Sequence, residues 1–422
     1  MTSAAGLVTG KLSLRGDVER TWESRMAFLM FMPWMRLHQT QEFGKFRLVR
    51  YHRGLEPEAG LSGIPLDAIE RVLDAYSARP FSSESKAIRA VDEAVLFDWC
   101  DEVPAVNWDD ATLNARFAIA NLVKFAAVAA RDVGSAFDYC NASDVQVVAQ
   151  RLCLDNPSPV TFKGRARGRF VLRHASRAAG EPLFVRPWQS SCGTLKLDEA
   201  LLTSLLAIED PDQQDRFGEA ISFYLAANTD SDDVPLSAEL VLLRMAMDRL
   251  MEISDRVDAF REALRTHFDS DLPRPPDWGS GPINEVKWRA RWTDVKKISR
   301  PLDAWAHDFC NARNSSAHAS AKPSKYPDSV MALEAHAVLA SWLIPLMVKA
   351  ELNKLSLYAL NNEDRTMRSG LESLLSWDLL SQDGTGTGQG RFAALVDELK
   401  QNAIGLDLAD VMQRRVGAAL HR

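Results

Sequence analysis

The stretch Asp303–Pro323, DAWAHDFCNARNSSAHASAKP, decides how the C-terminal half of this chain is read. Ala304, Trp305, Phe309 and Ala312 recur at helical spacing, which predicts a helix running to about Arg313. Asn314-Ser315-Ser316 then supplies side chains that compete for backbone hydrogen bonds and tend to end helices. His318 lies five residues after Arg313. On an unbroken helix, five residues rotate by about 500°, which leaves the two side chains roughly 140° apart. Arg313 and His318 can act on one group only if the helix breaks between them, or if two copies of the segment face each other across a twofold axis. The Asn-Ser-Ser run permits the first, and a dimer permits the second.

The two residue types define a chemistry. Arginine offers a planar, permanently charged fork that fits a phosphate. Histidine has an unperturbed pKa of about 6.5, so it gives or takes a proton near neutrality. RNA carries its own nucleophile, the 2′-OH beside each phosphodiester. Cleaving it needs a base or acid and a cation that stabilises charge on the phosphoryl group. No protein nucleophile, metal or other cofactor is required.

Helical patterns surround the motif. They predict helices over 197–207, 213–227, 236–253, 256–268, 284–299, 302–313 and 328–352, with three more after 362. Leu236–Glu252 is an apolar helix carrying Asp248, and Ser329–Leu352 is a long apolar helix in which His336 reads as a buried, hydrogen-bonded side chain. Arg313-Asn314-Ser315-Ser316-Ala317-His318 in this setting resembles the Arg-x(4–6)-His motif of the HEPN superfamily, over roughly residues 210–352. HEPN domains are small helical bundles, and many are metal-independent ribonucleases of bacterial defence, toxin–antitoxin and RNA-processing systems. The resemblance implies that Arg313 and His318 are catalytic and converge at a homodimer interface. It further implies that Asn314 is the polar residue after the arginine, and it leaves Asp308 as a candidate for a supporting role. Some family members carry a tyrosine two residues after the histidine, and here that position is Ser320.

The rest of the chain bounds this reading. It has 422 residues, 46% of them hydrophobic and 25% charged, which suits two or three soluble globular domains. Lys and Arg number 50 against 57 Asp and Glu, a net charge of −7, so any contact with nucleic acid must be a local patch. Five cysteines with no Cys-x-x-Cys pair point away from a disulfide framework or a cysteine zinc site and toward a reducing, cytoplasmic setting. The apolar run Met26–Met35 is too short to span a bilayer, so no membrane association is expected. No His-Glu-x-x-His, Gly-x-Ser-x-Gly, EF-hand or paired zinc-ligand spacing occurs, so neither a hydrolase triad nor a metal site has support in the sequence.

Two basic segments stand out. Lys163–Arg177 holds six Lys and Arg plus His174 and no acid. Lys163, Arg165, Arg167 and Arg169 alternate, which on one strand sets them on one face, either as a contact for RNA backbone or as a solvated sheet edge. Asn284–Arg300 sets Trp288, Trp292 and Val295 on one helix face with Lys287 and Arg291 nearby, for core packing or for RNA contact.

N-terminal patterns are mixed. Phe43–Tyr51 alternates partly, as a strand does, and residues 65–130 read as helical, with Leu66–Arg79 ended by Pro80 and a second helix from Asp109-Asp110 to Val128. Val145–Leu154, Pro159–Phe162 and Lys163–Leu172 read as strands. Asp269–Pro282 is a proline-rich loop, and Ser381–Gly390 a Gly/Thr/Gln linker. The expected fold is an α-rich α+β protein. A mixed α+β sensor or partner-binding region (1–195) precedes a HEPN-like helical bundle (196–352) and a C-terminal helical extension (353–422). The expected partners are an RNA substrate, a second copy of the chain, and an antitoxin or phage-derived trigger.

Overall fold

The computed structural model describes residues 26–54, 61, 64–80, 89–100, 110–130, 142–153, 159–166, 169–174, 184–186, 193–229, 234–254, 256–267, 301–317, 329, 331 and 333–374. The protein is α-rich α+β, with strands concentrated before residue 195 and helices after it. It divides into two compact units, residues 1–116 with 146–195, and residues 117–145 with 196–422. Residues 117–145, expected within the N-terminal region, therefore fold with the helices that follow residue 196.

The first unit is built on a seven-stranded antiparallel sheet of order β3-β4-β6-β1-β7-β8-β9. Its strands are β1 (Met26–Met32), β3 (Gln41–Glu42), β4 (Phe46–His52), β6 (Glu93–Trp99), β7 (Val148–Cys153), β8 (Pro159–Ala166) and β9 (Arg169–His174). The early apolar run is the central strand, β1. It pairs with β7 from Met26↔Cys153 to Phe31↔Val148, and with β6 at Phe31↔Leu96. Ala27 to Met32 are all buried, because the sheet is covered on both faces here. A strand covered on both sides shows no alternation. The same applies to β6 (EAVLFDW), where the sequence predicts helix.

The helix expected over Leu66–Arg79 ends early. Helix α1 spans Leu66–Leu73 and lays Ala68, Ile69, Val72 and Leu73 into a core with Leu29, Phe31, Val49, Tyr51 and Leu96. The chain then becomes strand β5 (Tyr76–Pro80), paired in parallel with β10 (Phe184–Arg186). Tertiary pairing overrides local periodicity here. The Tyr76 hydroxyl donates to Gln150 Oε1 at 2.8 Å, and the ring stacks on Phe184 with centroids 4.7 Å apart. A second short parallel pair joins β2 (Met35–Arg36) to β11 (Gly193–Thr194).

Strands β8 and β9 correct a further expectation. Lys163 and Arg165 lie on β8, Arg169 lies on β9, and the two strands are antiparallel. The four alternating cations therefore do not share one strand.

The division between units falls within helix α2 (Asp110–Ala129), whose later part belongs to the second unit. That unit also contains α3 (Glu199–Leu206), α4 (Pro211–Ala227), α5 (Leu236–Met251), α6 (Val257–Thr266), α7 (Pro301–Ala317), α8 (Leu333–Lys354) and α9 (Asn362–Leu374). α5 packs against α4, α7 and α8, and α7 packs against α6 as well. Phe125, Phe217, Tyr224, Leu243, Phe260, Trp305, Phe309 and Trp342 share one core. α9, expected in a separate extension, contributes Leu371 to that core.

Helix α8 is the centre of the unit, and among the described residues it is the helix long and apolar enough to cross a membrane. It is mostly buried against its neighbours. Pro345 sits inside it. Proline has no N–H, so the carbonyl four residues earlier, that of Ser341, loses its helical donor. The Tyr224 hydroxyl of α4 donates to this carbonyl at 3.0 Å. Asn228 completes the arrangement by accepting from Ser341 Oγ and donating to the Tyr224 carbonyl at 2.7 Å.

Candidate functional site

Helix α7 presents a different surface to each neighbour. Its first three turns are deeply set, with Leu302, Trp305, Phe309 and Ala312 in the core. From Arg313 onward the helix emerges, with Arg313, Asn314 and Ser315 half-buried and Ala317 exposed. The expected break at Asn314-Ser315-Ser316 does not occur, and the helix continues to Ala317. The reason is local. Ser315 Oγ donates back to the Ala312 carbonyl at 3.1 Å, so its hydroxyl stays within the helix instead of capping a competing turn.

Arg313 lies on the emergent part. Its Nη1 donates to Asn314 Oδ1 at 2.9 Å, so the neighbouring amide holds the guanidinium. Arg313 Nε is buried and has no hydrogen-bond partner among the described residues. One turn earlier, Cys310 accepts a hydrogen bond at 2.6 Å from Nη1 of Arg244 on α5. Arg244 is almost wholly buried. Its Nε donates to Asp248 at 2.7 Å, and its guanidinium carbon lies 3.9 Å from the centre of the Phe260 ring. Burial pushes the Cys310 thiol up to about 11, against the opposing effect of Arg244. The thiol is therefore neutral at ordinary pH and acts as a packing group and acceptor.

Asp308 is placed elsewhere. Five residues before Arg313 on a continuous helix, it points about 140° away, into the core. It is completely buried. Its Oδ2 accepts from the Met331 N–H at 2.9 Å and from Ser329 Oγ at 2.9 Å, and lies 3.2 Å from His336 Nε2. The geometry suits a histidine with its proton on Nε2, shared between Asp308 and Ser329. His336 is thus the buried hydrogen-bonded residue that the sequence predicts. The supporting role near the reacting atoms expected for Asp308 gives way to a structural one. Its carboxylate ties α7 to the segment entering α8 and is closed to any substrate.

His307, on a third side of α7, is half-buried, and its pKa is lowered by burial and by the Arg261 guanidinium. Arg265 of α6 reaches the buried Asp303 of α7 at 3.1 Å. This charged contact ties α6 to the first turn of α7.

His318, Lys287, Arg291 and Arg167 lie outside the described residues. Arg313, Asn314 and Asp308 belong to the second unit, and Lys163, Arg165 and Arg169 to the first. Arg244 was not singled out from the sequence, although a signal was there. It falls in the apolar stripe Leu240, Leu243, Met247, with Asp248 four residues on. Among the described residues, no three His, Cys, Asp or Glu side chains gather as a metal site would require.

Comparison with protein families, characterised proteins and solved structures found no match to this chain.

Proposed function

We propose that the helical unit is a metal-independent endoribonuclease of prokaryotic antiviral defence or toxin type, working in the cytoplasm as a homodimer. The observation that carries this reading is the emergence of Arg313 from the bundle at the end of α7, its guanidinium held by Asn314, five residues before His318. Arg313 would stabilise charge developing on the phosphoryl group. His318 would move the proton, as base toward the 2′-OH or as acid toward the leaving 5′-oxygen. Attack of the 2′-oxygen on phosphorus breaks the bond to the 5′-oxygen and leaves a 2′,3′-cyclic phosphate and a 5′-OH. Helix α7 is continuous from Arg313 through Ala317, without the break expected at Asn314-Ser315-Ser316. The reading therefore takes the two-chain arrangement, with the motif ends of two α7 helices facing one substrate. An antitoxin or a phage-derived trigger would then control access to that cleft.

The test is direct. Labelled RNA is incubated in EDTA with the purified protein, with Arg313→Ala and with His318→Ala. Cleavage by the unmodified protein alone, leaving cyclic phosphate ends, supports the proposal. Cleavage that EDTA abolishes overturns the mechanism. Absence of cleavage together with tight RNA or protein binding moves the bundle to a non-catalytic dimerisation or binding role.

A further inference from the structure

The hairpin that ends the sheet outgrows its neighbour. β7 pairs with β8 only at Pro159, Val160 and Thr161. β8 continues to Ala166, pairing with β9 alone at Phe162↔Leu172, Lys163↔Val171, Arg165↔Phe170 and Ala166↔Arg169. Five residues of β8 thus run on as a two-stranded ribbon, about 17 Å long at roughly 3.3–3.4 Å per residue. A ribbon of two strands is marginal by itself and gains stability from a partner. Lys163 and Arg165 fall in this overhanging part, and Arg169 pairs with its last residue, Ala166. No Asp or Glu occurs from Asn156 to Gly180, in a chain where about one residue in seven is acidic. The ribbon is therefore a cationic stretch on an acidic protein.

We infer that the β8–β9 hairpin is a finger that grips a phosphodiester backbone. Its length matches several successive phosphates of an extended strand, and its charge is of one sign. A register shift between Lys163 and Arg165 increases the local twist, as bulges do, which suits a ribbon following a curved strand. Backbone contacts carry no sequence information. The finger should thus hold RNA and DNA of any sequence about equally, since neither the 2′-OH nor the bases are needed. The inference stands apart from the ribonuclease reading and would give the first unit the task of retaining nucleic acid.

The full chain carrying His318→Ala, so that no probe is consumed, is titrated with fluorescent 20-nucleotide RNA and DNA strands at several salt concentrations. Each phosphate contact contributes about 0.7 to the slope of log K against log salt for single strands. Arg165→Gln with Arg169→Gln should reduce that slope by about 1.4 and weaken binding roughly tenfold near 0.15 M salt. Arg165→Lys with Arg169→Lys should retain most of the binding. An unchanged slope in the glutamine pair overturns the proposal, as does an equal loss in the lysine pair, which would mark a structural role. Displacement of the strands by polyglutamate at matched charge overturns it as well, in favour of an acidic protein surface. Failure of the ribonuclease reading would look different, as binding that persists while the unmodified chain cuts nothing.

Discussion

Substituting Tyr224 by phenylalanine removes one oxygen atom from the centre of the helical unit. That oxygen is the donor to the Ser341 carbonyl, which Pro345 deprives of its helical partner. The ring is wholly buried and packs edge-on against Phe125 with centroids 5.3 Å apart, so phenylalanine keeps the shape and the apolar contacts. What changes is one buried carbonyl. Leaving such an acceptor unmet costs about 1–3 kcal/mol. In a unit of this size that lowers the melting temperature by roughly 2–4 °C for each kcal/mol. A second substitution isolates the cause. Pro345→Ala returns an N–H to the helix, so in that background the Ser341 carbonyl has its ordinary donor and Tyr224→Phe should cost at least about 1 kcal/mol less. Urea unfolding of the four proteins, followed by helical circular dichroism at constant slope, gives the coupling energy. Equal losses in both backgrounds, within about 0.3 kcal/mol, would refute the idea that the hydroxyl stands in for the missing N–H.

Three further outcomes are expected. Asp308→Ala removes the acceptor shared by the Met331 N–H, Ser329 and His336, and should lower stability by about 3–5 kcal/mol in chemical denaturation; a loss below 1 kcal/mol would show that the carboxylate does not hold α7 to α8. Lys349 bridges Asp198 at 2.8 Å and Asp364 at 2.9 Å, and these carboxylates hold its pKa above the usual lysine value despite burial. Lys349→Met should therefore lower the melting temperature, and adding Asp364→Asn should recover part of the loss, since breaking a buried pair leaves an uncompensated charge. The thiol of Cys310 ionises at about 11 in the fold against an ordinary value of 9.0. Its contribution is complete below pH 9 and falls as the pH rises from there toward 11, because the unfolded chain gives up the proton first, for a total of about 2–3 kcal/mol. Cys310→Ala should flatten the alkaline part of the stability–pH curve by that amount, and an unchanged curve would contradict the assignment.

The fold class was legible because its strongest signals are local. The periodic stripes of α2, α7 and α8 and the partial alternation of β4 needed no knowledge of their neighbours. What was hidden depends on distant partners. Glu93–Trp99 is a strand buried on both faces, so it lacks the period that marks a strand. Tyr76 continues a helical stripe in sequence, yet its ring and hydroxyl are claimed by Phe184 and Gln150, more than seventy residues away. At the candidate site, Arg313 and Asn314 were chosen from type and spacing, and the hydrogen bond between them was not legible there. The burial of Asp308 was not legible because its partners, Ser329, Met331 and His336, lie more than twenty residues further along the chain. Ser315 was read as a helix breaker because its composition cannot show that its hydroxyl turns back to Ala312. Arg244 escaped notice because a buried arginine becomes intelligible only with Cys310 and Phe260 beside it.

The chain passes from one unit to the other at residues 116–117, returns at 145–146 and leaves again at 195–196. Neither unit can be obtained by a single cut. A fragment starting at Lys196 would lack Phe125 and Val128 of the shared core and would expose the seats they fill. The same weave sets a delay during synthesis. Phe125 leaves the ribosome about 100 residues before its ring partner Tyr224, roughly 5–20 s at ordinary elongation rates. Through that interval an apolar helix waits for its core partners to be made, so nascent chains would be most open to chaperone capture at that stage, and the two units would be inherited together because recombination cannot trade either as a cassette.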